Sequence, residues 1–356
     1  MNYSGGMTRL RISKLAIVLF CLATTLAASA QTAVSLKHYR LGNKTDVSAT
    51  SRPGFALMGG GDDLDEAFRW LCTRSGGGDF LVLRATGDDE YNSYIKGLCP
   101  LNSVTTLILP DHAAAVDPFV EQAIRHASGL FIAGGDQANY INFWMGTPVD
   151  AALNDAIRRG VPIGGTSAGL AVLGEWAYTA QGDKLEDADL DSKLALANPF
   201  GPRIRLSHEF LRIPILKGVI TDSHFAIRDR MGRSLVFLAR VNEPDGKPLP
   251  AGEPRIRGIG VEERVAVLLE PDGKGTVIGH GSVYFIDSRD ASGLMLGGKF
   301  GVMASHKPLT FGPFDVQRVG PGHSFDFKTW QGEATRYTLS VEAGKITSTQ
   351  AGGGLY

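Results

Sequence analysis

No charge of one sign dominates this chain of 356 residues: 36 lysines and arginines stand against 37 aspartates and glutamates. Without a basic excess, nothing pulls it onto nucleic acid. Cysteine is scarce, with three residues and no CxxC pair, which excludes a cysteine zinc site. The eight histidines form no HExxH or HxH, so no metal site and no cofactor is expected. No apolar run reaches the roughly 20 residues that a membrane-crossing helix needs. Glycine is plentiful at 45 residues and proline moderate at 17, but neither recurs with a period. That rules out a collagen and points to tight turns and glycine-lined loops. The balance of 43% hydrophobic and 21% charged residues is that of a globular chain, long enough for one large domain or two small ones.

The first thirty residues read as an address. Arg9, Arg11 and Lys14 precede an apolar run from Leu15 to Leu26, and Ala28-Ser29-Ala30 closes it before Gln31. A basic start, a short apolar core and a small-x-small end mark a cleavable secretory signal over residues 1–30. The expectation is an exported protein, periplasmic or secreted, with no stable membrane insertion after cleavage. Cleavage removes three of the 36 cations and leaves 33 against 37 acidic side chains. Cys72 and Cys99 then remain. Either they pair, as an oxidising compartment allows, or they are two small buried hydrophobes; the sequence leaves both open.

Beyond residue 50, short apolar runs alternate with helix-like stretches. Phe55–Met58, Phe80–Leu83, Leu107–Leu109, Leu130–Ala133 and Val161–Ile163 read as strands. Helices are expected after Gly61, from Asp117-Pro118 through Ile124, and from Val149 to Arg159. Apolar strands without alternation, separated by helices, mean an α/β fold with a parallel sheet covered on both faces. Ligands in such sheets sit beyond the carboxyl ends of the strands, where the glycine clusters fall here. After about residue 255, Val265–Glu270 and Thr276–Gly279 read as a hairpin around Pro271-Asp272-Gly273, followed by Val283–Ile286. Tyr337–Val341 and Ile346–Thr349 form one more hairpin, and the closing AGGGLY is expected to fray. No linker stands out. The expected division is 31–300 as one α/β domain, with 301–356 as its β-rich extension.

The sharpest local feature is Gly164-Gly165-Thr166-Ser167-Ala168-Gly169, set between a buried strand and an apolar helix. A serine there is presented at a helix N-terminus, where backbone N–H groups can stabilise an oxyanion. Alternatively, Thr166 or Ser167 simply caps the helix. A serine nucleophile needs a base, and His224 follows the apolar Val219-Ile220 at another strand end, although any one histidine can as well be a packed residue. Arg228, Arg230 and Arg233 beside it suit bidentate carboxylate recognition, or a solvated face with Asp229 as internal partner. Gly258-Ile259-Gly260-Val261-Glu262-Glu263 offers a carboxylate to orient the imidazole, unless both glutamates face solvent.

Gly59-Gly60-Gly61, Gly134-Gly135-Asp136-Gln137, Gly165–Gly169, the Asp222…His224…Arg228-x-Arg230-x-Gly232-Arg233 string and Gly258–Glu263 occur in this order. Together with Arg84-Ala85-Thr86-Gly87 and Tyr91-Asn92, that set resembles cyanophycinase and its relatives, the serine peptidases that include dipeptidase E, over roughly residues 50–290. The resemblance implies a flavodoxin-like fold of the class I glutamine amidotransferase kind. It implies Ser167 as nucleophile, His224 as general base and Glu263, ahead of Glu262, as the acidic member. The N–H of Ala168 and one from the Gly59–Gly61 turn, at Gly60 or Gly61, would form the oxyanion hole. Gln137 and Arg228, Arg230 and Arg233 would hold the substrate, with Asp222 nearby. Arginine side chains of a substrate would want acidic partners such as Asp222 or Glu175. Two positions depart from the family's usual pattern: Ser223 stands where a glutamine precedes the histidine, and Glu262 where an aspartate often does.

The leading expectation is therefore an exported serine peptidase that cleaves β-aspartyl-arginine polymer or related aspartyl isopeptides. Its partners would be that peptide or isopeptide and a second copy of the chain in a homodimer. Two other readings compete. An α/β-hydrolase esterase shares G-x-S-x-G but places its acid before the final histidine, with His280, His306 or His323 as the base. A non-catalytic binder of aspartyl peptides would use the same scaffold without turnover.

Overall fold

The computed structural model describes residues 36–182, 189–244, 254–288, 303 and 305–356; residues 1–30, read above as a signal, lie outside them. Along the chain come β1 (Lys37–Gly42), β2 (Phe55–Met58), α1 (Asp65–Arg74), β3 (Asp79–Arg84), α2 (Glu90–Leu98), β4 (Ser103–Ile108), α3 (His112–Ala115), α4 (Pro118–His126) and β5 (Gly129–Ile132). Next are α5 (Gln137–Phe143), α6 (Pro148–Arg158), β6 (Ile163–Thr166), α7 (Ala168–Ala171), β7 (Trp176–Tyr178), α8 (Ser192–Ala197), β8 (Leu206–His208), β9 (Val219–Asp222) and α9 (Met231–Asn242). The remainder is β10 (Arg257–Val261), β11 (Val265–Leu269), β12 (Lys274–Gly279), β13 (Val283–Ser288), β14 (Phe311–Val319), β15 (Ser324–Asp326), β16 (Gln331–Gly332), β17 (Thr335–Glu342) and β18 (Lys345–Ser348).

The first sheet has the order β1-β4-β3-β5-β6-β2-β11-β12-β15-β16, and its middle, β4-β3-β5-β6-β2, is parallel. Successive side chains of a strand point to opposite faces, so each of these apolar strands feeds two cores. Leu57, Leu81 and Leu83 pack with Val120 and Ile124 of α4 and Leu153 of α6. Ala56, Met58, Phe80 and Val82 pack with Phe68 and Leu71 of α1 and Ile95 of α2. Helices thus cover both faces, the α/β arrangement that the unalternating runs imply. Helix α4 begins as its residues dictate: the Asp117 carboxylate accepts the Phe119 N–H at 2.8 Å and Pro118 takes the first turn.

A second sheet, β18-β17-β14-β13-β10-β9-β7-β8, gathers most of the later strands. Among its described strands, only β7, β9 and β10 run parallel to one another. The hairpin over Pro271-Asp272-Gly273 forms between β11 and β12, and that of β17 and β18 closes at Glu342–Lys345. Strand β10 lies in the second sheet and β11 in the first, next to β2. The intervening turn at Glu262–Arg264 therefore crosses from one sheet to the other. This crossing positions the site.

Three expectations need correction. The strand placed at Val161–Ile163 starts at Ile163 and runs to Thr166, because Pro162 has no N–H for the ladder and the following glycines extend. The helix after it is a single turn. The chain's closing residues are not frayed. The Tyr356 hydroxyl accepts the Met231 N–H at 2.9 Å and donates to Asp229 at 2.9 Å, with its ring edge-on to Phe225 and Tyr284.

Cys72 on α1 and Cys99 just after α2 form a disulfide, which settles the alternative the sequence left open. The bond closes a loop across 27 positions, for which chain entropy suggests about 3 kcal/mol of stabilisation. Replacing both cysteines by alanine lowers the unfolding free energy by about that amount in urea titration. An unchanged denaturation midpoint would contradict this.

Candidate active site

Three strand ends meet at one place. Ser167 follows β6, His224 lies two residues past β9, and Glu263 sits in the crossing between β10 and β11. Ser167 has φ 54°, a backbone region that costs a non-glycine residue about 1–3 kcal/mol. Its N–H donates to the Met58 carbonyl at 3.2 Å and its carbonyl accepts from Ala171 at 3.0 Å, so the elbow is held from both sides. The Ser167 side chain does not cap α7. Instead its hydroxyl lies 2.6 Å from His224 Nε2.

His224 is also in the left-handed region, at φ 46°. Its N–H donates to the Gly59 carbonyl at 2.8 Å, and its Nδ1 lies 2.6 Å from Glu263 Oε1. An acceptor on that side fixes the tautomer with the proton on Nδ1, leaving Nε2 free to accept from Ser167. Glu262 points elsewhere: it accepts from the Ser282 N–H at 2.9 Å and the Tyr284 hydroxyl at 2.6 Å. Among the described residues, then, Glu263 is the glutamate on the imidazole.

Gly60 and Gly61 press against this pair. A Cβ on Gly60, whose φ is 90°, would stand 2.4 Å from His224 Cε1, and one on Gly61 would stand 3.0 Å from Glu263 Cβ. Gly134 also lies beside the nucleophile: a Cβ there would stand 3.4 Å from Ser167 Cβ. Sequence reasoning quoted Gly134-Gly135 as a motif but gave it no role. The turn after β5 therefore adjoins Ser167 as well.

The arginines do not form a solvated face. Arg233 is 1% exposed and donates to both Asp222 oxygens, from Nε at 2.8 Å and Nη2 at 2.6 Å. Arg230 is nearly as buried; it donates to the Ser223 carbonyl at 2.9 Å and pairs with Asp189. Arg228 alone is half exposed. Asp229, the partner assigned to them above, accepts from Tyr356 instead. Asp222 and Glu175 are not idle acids: Asp222 is buried among the arginines, and Glu175 accepts the Gly218 N–H at 2.6 Å. Gln137, at the start of α5, reaches the Tyr178 carbonyl at 3.5 Å.

Burial lowers the pKa of His224, Glu263 pulls it back up, and Arg228 and Arg230 push it down again; the net result lies below the ordinary 6.5. A base must be neutral, so kcat/KM rises with pH through this pKa. The acid limb of its pH profile therefore falls with a midpoint below 6.5. A limb centred above that value would contradict the electrostatics.

A serine, an imidazole and a carboxylate in hydrogen-bond series at the ends of buried strands are the parts of a covalent hydrolase. The sequence model of peptidase family S51 matches residues 95–197. A cyanophycinase of Synechococcus elongatus is 27% identical over 302 residues, which span 81% of this chain and 84% of that protein. One of Geminocystis herdmanii is 26% identical over 224 residues, 62% of this chain and 70% of that protein. A solved peptidase from an acI-B1 Actinobacterium aligns with 78% of this chain and 98% of its own, at 16% identity and a TM-score of 0.48. The protein is a serine-type peptidase, and its substrate is a peptide. Over most of its length it is similar to the cyanophycinases, and in its middle to peptidase family S51.

Proposed function

We propose that the chain hydrolyses cyanophycin, the β-aspartyl-arginine polymer, or related aspartyl isopeptides, to dipeptides through an acyl-enzyme on Ser167, and that it does so after export. The observation that carries the mechanism is the relay from Ser167 Oγ to His224 Nε2 at 2.6 Å and from His224 Nδ1 to Glu263 at 2.6 Å. Ser167 Oγ attacks the amide carbonyl carbon while its proton passes to His224 Nε2. The carbonyl electron pair moves to oxygen, where the N–H of Ala168 and one from a glycine turn, that of Gly60-Gly61 or Gly134-Gly135, receive it. The pair returns, the C–N bond breaks, and His224 hands its proton to the leaving amine. Water, deprotonated by His224, then cleaves the ester and Ser167 regains its proton. Throughout, Glu263 holds the Nδ1–H and stabilises the imidazolium.

The named relatives support the polymer as substrate, and the arginine group supports an acidic one. For substrate arginines, the exposed Asp62, on the turn that follows β2, replaces Asp222 and Glu175 as the candidate acidic partner. Export rests on the pattern of residues 1–30 and on the Cys72–Cys99 bond, of a kind that persists in oxidising compartments. The esterase reading is less favoured, because the carboxylate on His224 comes after it in the chain, not before. Incubating the protein with cyanophycin and a panel of α- and β-aspartyl dipeptides, with mass spectrometry of the products, tests the substrate. β-Asp-Arg release is expected; cleavage of simple esters alone would overturn the reading.

A further inference from the structure

Three guanidinium groups beside His224 meet on one carboxylate. Arg228 Nη1 lies 3.6 Å from Asp189 Oδ2, Arg233 Nη1 lies 3.1 Å from Asp189 Oδ1, and Arg230 Nη2 bonds Oδ2 as well. Asp222 holds the same group from the inside, at 2.6 Å from Arg233 Nη2 and 3.4 Å from Arg230 Nη1. The two anions differ in kind. Asp222 ends β9, is buried, and also accepts the Ser223 N–H at 2.9 Å and the Ser234 hydroxyl at 3.2 Å. Asp189 lies just before α8 with its side chain 39% exposed. The group also adjoins the catalytic base. The Arg228 N–H donates to the His224 carbonyl at 3.1 Å, and Arg230 donates to the Ser223 carbonyl at 2.9 Å. The Tyr178 ring lies 5.1 Å from the Arg233 guanidinium, and Gln137 reaches the Tyr178 carbonyl.

A buried cation left without its anion is costly, so the cluster needs a second carboxylate at all times. It does not need that carboxylate to be its own. We propose that Asp189 is a displaceable counter-ion, whose place on Arg228, Arg230 and Arg233 is taken by a free carboxylate of the substrate. This rests on the reading that the arginine group receives an acidic substrate. Exchanging one carboxylate for another keeps every buried guanidinium paired and keeps the fork-to-carboxylate geometry. A neutral amide offers no such exchange, so Asp189 stays seated against it. Asp189 thereby lowers the affinity for acidic peptides by competing with them, and so moderates the preference for them over neutral ones.

The test is Asp189→Asn, assayed with a matched pair of aspartyl and asparaginyl dipeptides and with succinate as inhibitor. Removing the resident anion should lower KM for the aspartyl substrate and Ki for succinate about tenfold each, and widen the preference for aspartyl over asparaginyl. Losing a counter-ion can also weaken the fold, so melting of Asp189→Asn is followed in parallel. Succinate should raise its melting temperature more than that of the wild type, and sodium chloride of equal ionic strength should not. Unchanged or higher KM and Ki in the folded variant, or no stabilisation by succinate, would overturn the proposal. Arg228→Gln separates the two layers. If it leaves succinate inhibition and the aspartyl KM at wild-type values, the arginine reading itself fails. If it raises both while Asp189→Asn changes neither, the counter-ion proposal alone fails.

Discussion

Ser167→Ala lowers kcat/KM toward the aspartyl substrate by about 10^4-fold or more, while the folded fraction read by circular dichroism stays the same. The loss is that large because the proposed mechanism makes this hydroxyl the attacking group. Substrate binding should survive, since the proposed contacts, the arginine group and Gln137, lie on other elements. His224→Ala should fall to a similar floor, because residues acting as one relay are not additive. Activity retained within tenfold of wild type would remove Ser167 from the chemistry.

The second large effect is on stability. Asp222→Ala removes the inner anion of the arginine cluster and leaves Arg233, 1% exposed, without the carboxylate bonded to its Nε and Nη2. Breaking a buried pair by deleting one partner costs about 3–5 kcal/mol, so the variant should unfold at markedly lower urea or temperature. Asp222→Asn keeps the shape but not the charge, and should recover part of the loss at most. Burial alone would raise the Asp222 pKa; Arg233 and Arg230 more than reverse that and hold it below the usual carboxylate range. A depressed folded-state pKa gives stability that is fully present above the unfolded value and is lost as pH falls through the folded one. Wild-type stability should therefore fall on acidification below the ordinary 3.8, and the fall should be smaller in Asp222→Ala, where Asp79 and Asp189, likewise depressed, still contribute. A variant as stable as wild type would mean the cluster is a surface feature.

Much of this was legible in the residues, and the failures have physical causes. Apolar runs such as Phe55–Met58 and Phe80–Leu83 declare a strand buried on both faces. The exposed β1, Lys37–Gly42, does not, because its residues lack both alternation and an apolar face. The second sheet was invisible for a related reason. Its β9 and β10 are short, and only long-range pairing, Gly260 against Asp222, makes them neighbours. At the site, the strand-end motifs brought Ser167 and His224 to attention and the family resemblance put Glu263 ahead of Glu262; the structure places the three in one relay. What spacing could not show is where charge is buried. Arg233 looks like any surface arginine until its partners, eleven and forty-four positions away, are known. The glycine turns were likewise read as donors when two of them, at Gly60 and Gly61, also make room for His224 and Glu263. Tyr356, in a glycine-rich stretch, gave no sign that its ring and hydroxyl would find Phe225, Asp229 and Met231.

The central claim is that Ser167 becomes an ester during turnover. It is tested most directly by acid-quenching the enzyme milliseconds after mixing with an aspartyl dipeptide amide and weighing the intact chain and its fragments. The account predicts a transient adduct equal to the acyl half of the substrate, confined to the peptide carrying Ser167 and absent in Ser167→Ala. Continued product release with no adduct on that peptide, at any quench time and with Ser167→Ala still active, would contradict it.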